Sequence, residues 1–111
     1  MAVTLKTKEH TLIAVITGEI DHHVAAPMRL EIDEKIESVQ PDTLILDFAG
    51  VTFMDSSGIG LIMGRHRAME AIGGDVIIQN PPPHIRRVMR ISGMERIAHI
   101  QMQKPEQEEF S

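Results

Sequence analysis

The sequence predicts an α/β protein in which helices pack on a mixed, mostly parallel sheet of four to five strands. Three features support this fold class. Short runs of β-branched and aliphatic residues alternate with longer segments whose apolar residues recur every three to four positions. Proline and glycine separate these segments, as they commonly separate strands from helices. The 111 residues allow a single domain, and we expect its core within residues 3–101.

The N-terminal segment predicts a hairpin followed by a helix. Val3 to Lys8 and Leu12 to Thr17 have the composition of strands and are joined at Glu9-His10. The next segment, His23 to Val39, carries apolar residues on one helical face and charged residues on the other. Pro27 suits this helix only in the first turn, where a missing N–H costs no hydrogen bond.

The middle of the chain predicts a strand and a second helix. After a break at Pro41-Asp42, the apolar run Thr43 to Phe48 is typical of a buried strand. A helix is predicted over Ser57 to Ile72, because Gly73-Gly74 supplies residues that end helices. This alternation of strands and helices implies parallel pairing through right-handed crossovers.

The C-terminal part predicts a strand, a helix and a last strand. Asp75 to Gln79 is the first of these strands, and Asn80 to Pro83 is a rigid turn whose last prolines can open a helix. That helix is predicted over His84 to Ile91, and the last strand over Ile97 to Gln101. Residues 102–111 are polar and acidic, so we expect only a short helix or an irregular tail there.

Three loops are expected at the carboxyl edge of the sheet, where binding sites gather in folds of this class. They comprise residues 18–23, 54–57 and 79–83. If the strands before them are neighbours, then Asp21, Asp55 and a histidine lie near Ser57. The sequence therefore predicts a polar site that these loops share.

The segment Phe53 to Gly60, FMDSSGIG, carries the strongest functional signal. It joins a strand to a helix, which places the hydroxyl of Ser57 beside unpaired backbone N–H groups and the positive end of the helix dipole. Such a position suits a phosphoryl group. The alternative for a bare D-S-S-G is a simple helix cap, because Asp and Ser favour helix starts in any case.

The second helix has two distinct faces. At 100° per residue, one broad apolar face suited to the sheet contains Leu61, Ile62, Ala68, Met69 and Ile72. A separate stripe contains Ser57, Gly60, Gly64 and Arg67. Its glycines either let the helix pack tightly inside the domain, or they leave an open strip over which a partner protein can approach Ser57. Helical glycine costs up to about 1 kcal/mol relative to alanine, so either role needs a compensating gain.

Composition excludes several classes of function. A formal charge of −5 and an aromatic content of 3%, with no Trp or Tyr, argue against a nucleic-acid partner. The chain lacks cysteine, and therefore disulfides and thiolate chemistry. No apolar run approaches the roughly 18 residues of a membrane span, and no secretory leader is evident. We expect a cytoplasmic protein without a membrane partner.

The sequence also argues against an enzyme. The residues two before and two after Ser57 are Asp55 and Ile59, so the G-x-S-x-G pattern of serine hydrolases is absent. The glycines of the second helix miss the dinucleotide spacing by one residue, and no phosphate-binding G-x-x-x-x-G-K-[ST] occurs. The pair His22-His23 is predicted to lie on an extended loop with its rings pointing apart, which does not favour metal binding. We expect no cofactor and no metal.

Several segments together resemble the STAS domains of bacterial anti-sigma factor antagonists. They are GEIDHH at residues 18–23, FMDSSGIG, Gly64-Arg65, Ile72-Gly73-Gly74 and Ser92-Gly93-Met94, in this order and spacing. The resemblance covers residues 3–101 and is greatest to antagonists of the sporulation sigma-F branch. It implies a single STAS domain, with residues 102–111 as a polar tail.

The resemblance also implies a function and a site. In this family the unphosphorylated protein binds an anti-sigma factor serine kinase, with its ATP or ADP, and the sigma factor is released. Phosphorylation of the second serine, here Ser57, switches this off, and a PP2C-type phosphatase restores it. Asp21 corresponds to an acidic residue of kinase recognition. We expect the partner-binding surface to contain Asp21, His22, Asp55, Ser56, Ser57, Gly58, Gly60, Gly64 and Arg67.

Two other roles stay open. STAS domains also act in general-stress signalling, which changes only the partner kinase. They also serve as docking parts of lipid or anion transporters, where a phosphoserine would be incidental. In the antagonist interpretation, phosphorylation adds about −1.5 to −2 charges at a surface that is already formed, so the fold need not change.

Overall fold

A five-stranded mixed sheet and three α-helices form the fold of this computed structural model, which describes residues 2–102. The sheet order is β1-β2-β3-β4-β5; β1 is antiparallel to β2 and the other pairs are parallel, as predicted. A 3₁₀ turn, Met94–Arg96, precedes β5. The elements are β1 Val3–Lys8, β2 Thr11–Ile20, α1 His22–Val39, β3 Thr43–Met54, α2 Ser56–Ala71, β4 Asp75–Gln79, α3 Pro83–Ile91 and β5 His99–Gln101. The predicted tail lies outside the described residues, except for Met102.

The two longest strands extend well past their predicted ends. β2 continues beyond Thr17 to Ile20, and β3 continues beyond Phe48 to Met54. Their pairing has register shifts on both sides of Gly18, whose φ of +85° suits a bulge. These irregularities break the alternating pattern from which strand ends are predicted, and the extended pairing is not visible in the sequence.

The end of β3 projects beyond β4. The last paired residue of β4, Gln79, lies opposite Asp47, so residues 48–54 of β3 continue without it. Helix α3 packs against this projecting part, and its His84 Nε2 lies 2.9 Å from the carbonyl oxygen of Thr52. The loop after β4 therefore starts far from the end of β3, about seven residues back along the strand. It lies at the same carboxyl edge as the other two loops, as predicted, but it is set back from them because β3 extends past the end of β4.

The core lies between the sheet and the helices. Alternate residues of β2 and β3 are buried, as expected for strands with one face inward. On α1 the buried residues recur at the predicted spacing, at Met28, Ile32 and Ile36. Helices α1 and α2 each begin at the carboxyl edge of the sheet, at the ends of neighbouring strands, and they contact one another. Their N-terminal turns are thereby brought side by side.

Pro27 lies inside α1 and not in its first turn. The helix begins at His22, one residue before the predicted start, which makes Pro27 its sixth residue. A proline here cannot donate a hydrogen bond to the carbonyl of His23, four residues earlier. Both residues are exposed, so water can satisfy that carbonyl. The prediction for Pro27 was therefore wrong, and solvent exposure explains why the helix tolerates it.

The predicted inner face of α2 is correct at its centre and wrong at its end. Leu61, Ile62 and Met69 are buried, whereas Ile72 is 36% exposed because it is already the C-cap. The helix ends before Gly73, which adopts a φ of +79°. Arg65 is buried as well, which the apolar pattern did not predict.

Candidate functional site

Two strand-to-helix turns lie side by side at one edge of the sheet. Ile20 and Met54 end β2 and β3, and they are direct neighbours in the parallel register. The backbone N–H of Asp55 donates to the carbonyl oxygen of Ile20 at 3.1 Å, which ties one turn to the other. The structure thus brings two of the three predicted loops together.

Asp21 is the N-cap of α1. Its Oδ1 accepts hydrogen bonds from the N–H groups of His23 at 3.0 Å and Val24 at 3.1 Å. These bonds favour the ionised carboxylate and lower its pKa from the ordinary value of 3.8, the bond from Val24 being the largest cause. The carboxylate is nevertheless 38% exposed, so its charge remains open to a partner.

Asp55 is the N-cap of α2, and it changes the predicted environment of Ser57. Its Oδ1 accepts from the Ser57 N–H at 2.8 Å, and its carbonyl oxygen accepts from the Gly58 N–H at 3.0 Å. The N–H groups that were expected to be unpaired beside the serine are therefore in use. Asp55, two residues before Ser57 in the D-S-S-G segment, takes the capping position. Ser57 follows as the second helical residue and is half-buried, while Ser56 is exposed.

A groove of about 320 Å³ runs between α1 and α2 and contains the serine. We call it the interhelical groove; its lining residues are His22, Ala25, Ala26, Arg29, Ser57, Gly60 and Leu61. The middle of its walls is formed by small side chains, so space remains between the helices. The groove joins the histidine after the first cap to the serine after the second cap.

The glycines of α2 have opposite roles. A methyl group added at Gly60 or Gly64 would meet nothing within 4 Å, so both face open space. The interpretation that they allow tight packing inside the domain is therefore wrong for these two positions, and the open strip is what the structure has. Gly58 is buried instead, and a Cβ there would overlap Cγ and Sδ of Met54. Gly58 was predicted to contact a partner, but it faces the core.

An ion pair fastens α1 to α2 below the groove. Arg65 Nε lies 2.7 Å from Asp33 Oδ1, and its Nη2 donates to Asp33 Oδ2 at 3.1 Å. Nη1 also donates to the carbonyl oxygen of Leu61 at 3.3 Å. Burial lowers the pKa of Arg65, and the charge of Asp33 opposes that effect. Sequence analysis missed this pair, because an arginine within an apolar face shows its partner only in the folded chain.

An apolar groove of about 350 Å³ lies on the other side of the serines, between α2 and the end of α3. It is lined by Met54, Asp55, Ser56, Ile59, Val88, Ile91 and Ser92. Ile91 is 80% exposed and Phe53 nearby in sequence is 50% exposed, which is unusual for large apolar side chains. No pattern in the sequence predicted that the end of α3 lies beside the start of α2.

The two histidines belong to the first turn of α1 and not to an extended loop. His22 and His23 are both exposed, with ring centroids 4.0 Å apart.

Over residues 2–102, no cluster of three or more His, Cys, Asp or Glu side chains could hold a metal ion. Over the same residues, no helix is long and apolar enough to cross a membrane. Arg67 is exposed on α2, as the predicted stripe requires.

Comparison with known families and sequences identifies relatives over most of the chain. The family model for the STAS domain matches residues 2–106. A protein of Lysinibacillus sphaericus named anti-sigma F factor antagonist is 40% identical over 84 residues, which cover 76% of this chain and 72% of that protein. The anti-sigma-B factor antagonist of Bacillus subtilis is 29% identical over 98 residues, which cover 88% of each.

Solved structures with the same fold include two forms of one regulator. The unphosphorylated form of the anti-sigma factor antagonist SpoIIAA aligns with a TM-score of 0.80 and 34% identity, covering 98% of this chain and 93% of that one. The phosphorylated form of SpoIIAA, described as a Bacillus cell fate determinant, aligns with a TM-score of 0.73 and 34% identity. It covers 98% of this chain and 96% of the other.

Proposed function

Since this chain belongs to the STAS domain family, we propose that it is an anti-sigma factor antagonist that is switched by phosphorylation of Ser57. In its unphosphorylated form it binds an anti-sigma factor serine kinase, with the ATP or ADP of that kinase, and the sigma factor is released. Phosphorylation of Ser57 ends this binding, and a PP2C-type phosphatase reverses the modification. On this account the chain is a cytoplasmic regulator of transcription and the substrate of an enzyme, without catalysis of its own.

The observation that carries the proposal is the position of Ser57. The serine lies at the start of α2, partly accessible, on the wall of the interhelical groove. Gly60 and Gly64 follow it on the same helix and leave open space above the backbone. A kinase needs such access to bring a nucleotide to a hydroxyl. A serine that served only as part of a helix cap would need no open strip beside it, and here Asp55 performs the capping.

Two of the relatives support this choice of function. SpoIIAA has been solved in unphosphorylated and phosphorylated forms, and each aligns over 98% of this chain at 34% identity. The Lysinibacillus relative, at 40% identity, is named an antagonist of anti-sigma F factor. These two relatives favour the sporulation branch. The general-stress branch is the second candidate, favoured by the Bacillus subtilis anti-sigma-B antagonist at 29% identity.

The proposed surface explains how one phosphoryl group can exclude a partner. Asp21 and Asp55 cap the two helices at this edge, and phosphorylation adds about −1.5 to −2 charges between them. The phosphoryl group would block the approach of a partner to the surface around Ser57, including the apolar groove beside it. It would also repel a partner that carries negative charge there. Moving it from almost full to almost no occupancy requires about 5.5 kcal/mol of differential binding. Blocked contacts with the apolar groove and like-charge repulsion together can supply this amount.

The test is phosphorylation by purified candidate kinases with ATP, followed by intact mass and peptide mapping. The sigma-F-type and sigma-B-type anti-sigma kinases are compared at equal concentration. We expect one added phosphoryl group on Ser57, fastest with the sigma-F-type kinase. Ser56→Ala is the matched control and should still be modified, whereas Ser57→Ala should fold and bind the kinase but stay unmodified. Modification of Ser56, or of the Ser57→Ala protein, would contradict the proposal.

A further inference from the structure

Phosphorylation of Ser57 creates a charge that α2 itself does not neutralise. A helix N-terminus usually holds an anion through its free N–H groups. In α2 the N–H of Ser57 already donates to the Asp55 carboxylate, and that of Gly58 donates to the Asp55 carbonyl. Both partners belong to the same aspartate, whose own negative charge adds to the repulsion. The first turn of α2 therefore offers few free N–H donors to a phosphoryl group on Ser57, and a cation from another element would add to its stabilisation.

Arg29 is the cation that shares a groove with the serine. Its side chain lines the interhelical groove together with His22 and Ser57. Positions 22, 25, 26 and 29 form one stripe of α1, spaced three to four residues apart, so Arg29 lies about two turns below His22. Long side chains on helices lean toward the N-terminus of their own helix. Such a lean would bring the guanidinium of Arg29 toward the edge of the sheet where Ser57 lies.

The side chain of Arg29 has no carboxylate partner within residues 2–102. Within residues 2–102, no ion pair or hydrogen bond of its side chain is present. Asp33, on the side of α1 that faces α2, already forms an ion pair with Arg65 through both carboxylate oxygens. Arg29 also lies close enough to Arg65 for its charge to lower the pKa of Arg65, so the two cations repel one another. An anion in the groove would relieve this repulsion and give Arg29 its missing partner.

The groove has the size for such a contact. Its volume of about 320 Å³ corresponds to roughly ten waters at about 30 Å³ each. A phosphoryl group is equivalent to only a few waters, so it fits with a guanidinium beside it. Ala25, Ala26 and Gly60 leave the path between the two helices open. Guanidinium groups bind phosphate oxygens through two parallel N–H donors.

We propose that Arg29 binds the phosphoryl group of phosphorylated Ser57 across the interhelical groove, so that the modification joins α1 to α2 and occupies part of the groove. This inference rests on the proposed function, because it requires phosphorylation of Ser57. It adds that the inactive form is held by a contact within the chain, and that Arg29 rather than the end of α2 supplies the counter-charge. The other titratable residue that lines the groove is His22, while Asp21 and Asp55 cap the two helices beside it and Arg65 pairs with Asp33.

The test uses protein in which phosphoserine is placed at position 57 during synthesis, so no kinase is required. The second pKa of the phosphate is measured by ³¹P NMR titration in the parent, Arg29→Gln and Arg29→Lys proteins. A guanidinium at contact distance favours the dianion, so Arg29→Gln should raise that pKa by about 0.5 and Arg29→Lys by less. Arg87→Gln, which removes an equal charge from an exposed site on α3, is the control and should leave it unchanged.

Two further measurements separate this contact from other effects. Imidazoles titrate in the same pH range as phosphate, so the titration is repeated in a His22→Gln background, where the effect of Arg29→Gln should persist. The ¹⁵Nε signal of Arg29 should also shift on phosphorylation, while that of Arg87 should not. Equal phosphate pKa values in the parent and Arg29→Gln proteins would overturn the inference. Failure of every anti-sigma kinase to modify Ser57 would instead overturn the proposed function.

Discussion

The two strand-to-helix turns at the site are built alike but present different chemistry. Each consists of a strand end followed by an aspartate that caps the next helix, and the two strand ends are neighbours in the sheet. After Asp21 come two exposed imidazoles, whereas after Asp55 come two serines and a buried glycine. The two caps thus position the backbone in the same way, and the residues after each cap determine which side chains a partner contacts.

The turns also differ in how tightly they are held. The turn at Asp55 is drawn onto the core, because Gly58 lets the backbone of α2 lie directly against Met54. The turn at Asp21 carries its polar groups outward, with His22 and His23 both exposed. One turn thus supplies a serine held against the core, and the other supplies exposed polar groups, of which His22 lines the same groove as Ser57.

The largest expected effect comes from removing the ion pair that joins the two helices. Asp33→Ala leaves the guanidinium of Arg65, which is 6% exposed, without its partner. Since Asp33 is partly exposed, we expect a loss of about 2–3 kcal/mol in the free energy of unfolding, at the lower end for buried pairs. Urea unfolding measures it, with Glu34→Ala on the exposed side of α1 as a control that changes little.

A second variant shows whether the charge or the contact matters. The double variant Asp33→Leu, Arg65→Met removes both charges and keeps most of the volume, so it should recover much of the lost stability. A loss below about 1 kcal/mol for Asp33→Ala would contradict the view that this pair fastens α1 to α2.

The next effect distinguishes two glycines of α2. Gly58 lets the helix pack against the core, and Gly60 leaves the surface beside Ser57 open. Gly58→Ala forces Met54 to move within the core and should cost about 1–3 kcal/mol of stability. Gly60→Ala meets no neighbour and should stabilise the helix by up to about 1 kcal/mol, yet it narrows the approach to Ser57 and should weaken partner binding. Thermal unfolding and a binding titration measure the two effects, and equal stability changes for both variants would refute the distinction.

The smallest effect separates the two roles of Asp21. Asp21→Ala removes the cap of α1 and should cost about 1 kcal/mol, whereas Asp21→Asn keeps a capping oxygen and should leave the free energy of unfolding nearly unchanged. Both variants lack the charge, and both should bind the anti-sigma kinase more weakly. If Asp21→Asn bound the kinase as tightly as the parent, the carboxylate would have a structural role alone.

The pH dependence of the free energy of unfolding tests the same carboxylate. The folded protein lowers the pKa of Asp21, so the stability that this carboxylate contributes is fully present above its ordinary pKa of 3.8. That contribution is lost as the pH falls through the lower folded value. The parent should therefore lose stability relative to Asp21→Asn below about pH 3.8, as followed by chemical unfolding at each pH. Parallel pH profiles for the two proteins would refute it.

Local patterns in the sequence predicted the elements better than their junctions. The bounds of β1 and β4 agree with the structure, because each is a regular alternating segment between clear breaks. The ends of β2 and β3 were missed, since a bulge at Gly18 is formed by pairing between distant segments. For the site, proximity of Asp21 and Asp55 followed from the alternation of strands and helices. The roles of Arg29 and Asp33 depend on how closely α1 and α2 approach, which no local pattern encodes.

The projecting end of β3 gives the molecule two zones of different cooperativity. Strand β1 stops opposite Ile16 and β4 stops opposite Asp47, so the stretch that leads to the two caps is a bulged ribbon of two strands. Fewer hydrogen-bonded neighbours mean a lower free energy of local opening there than in the five-stranded centre. Amide protons near Glu19 and Phe53 should therefore exchange with solvent before those of Leu46. We therefore expect the strand ends that carry the two caps to open at a lower free energy than the centre of the sheet.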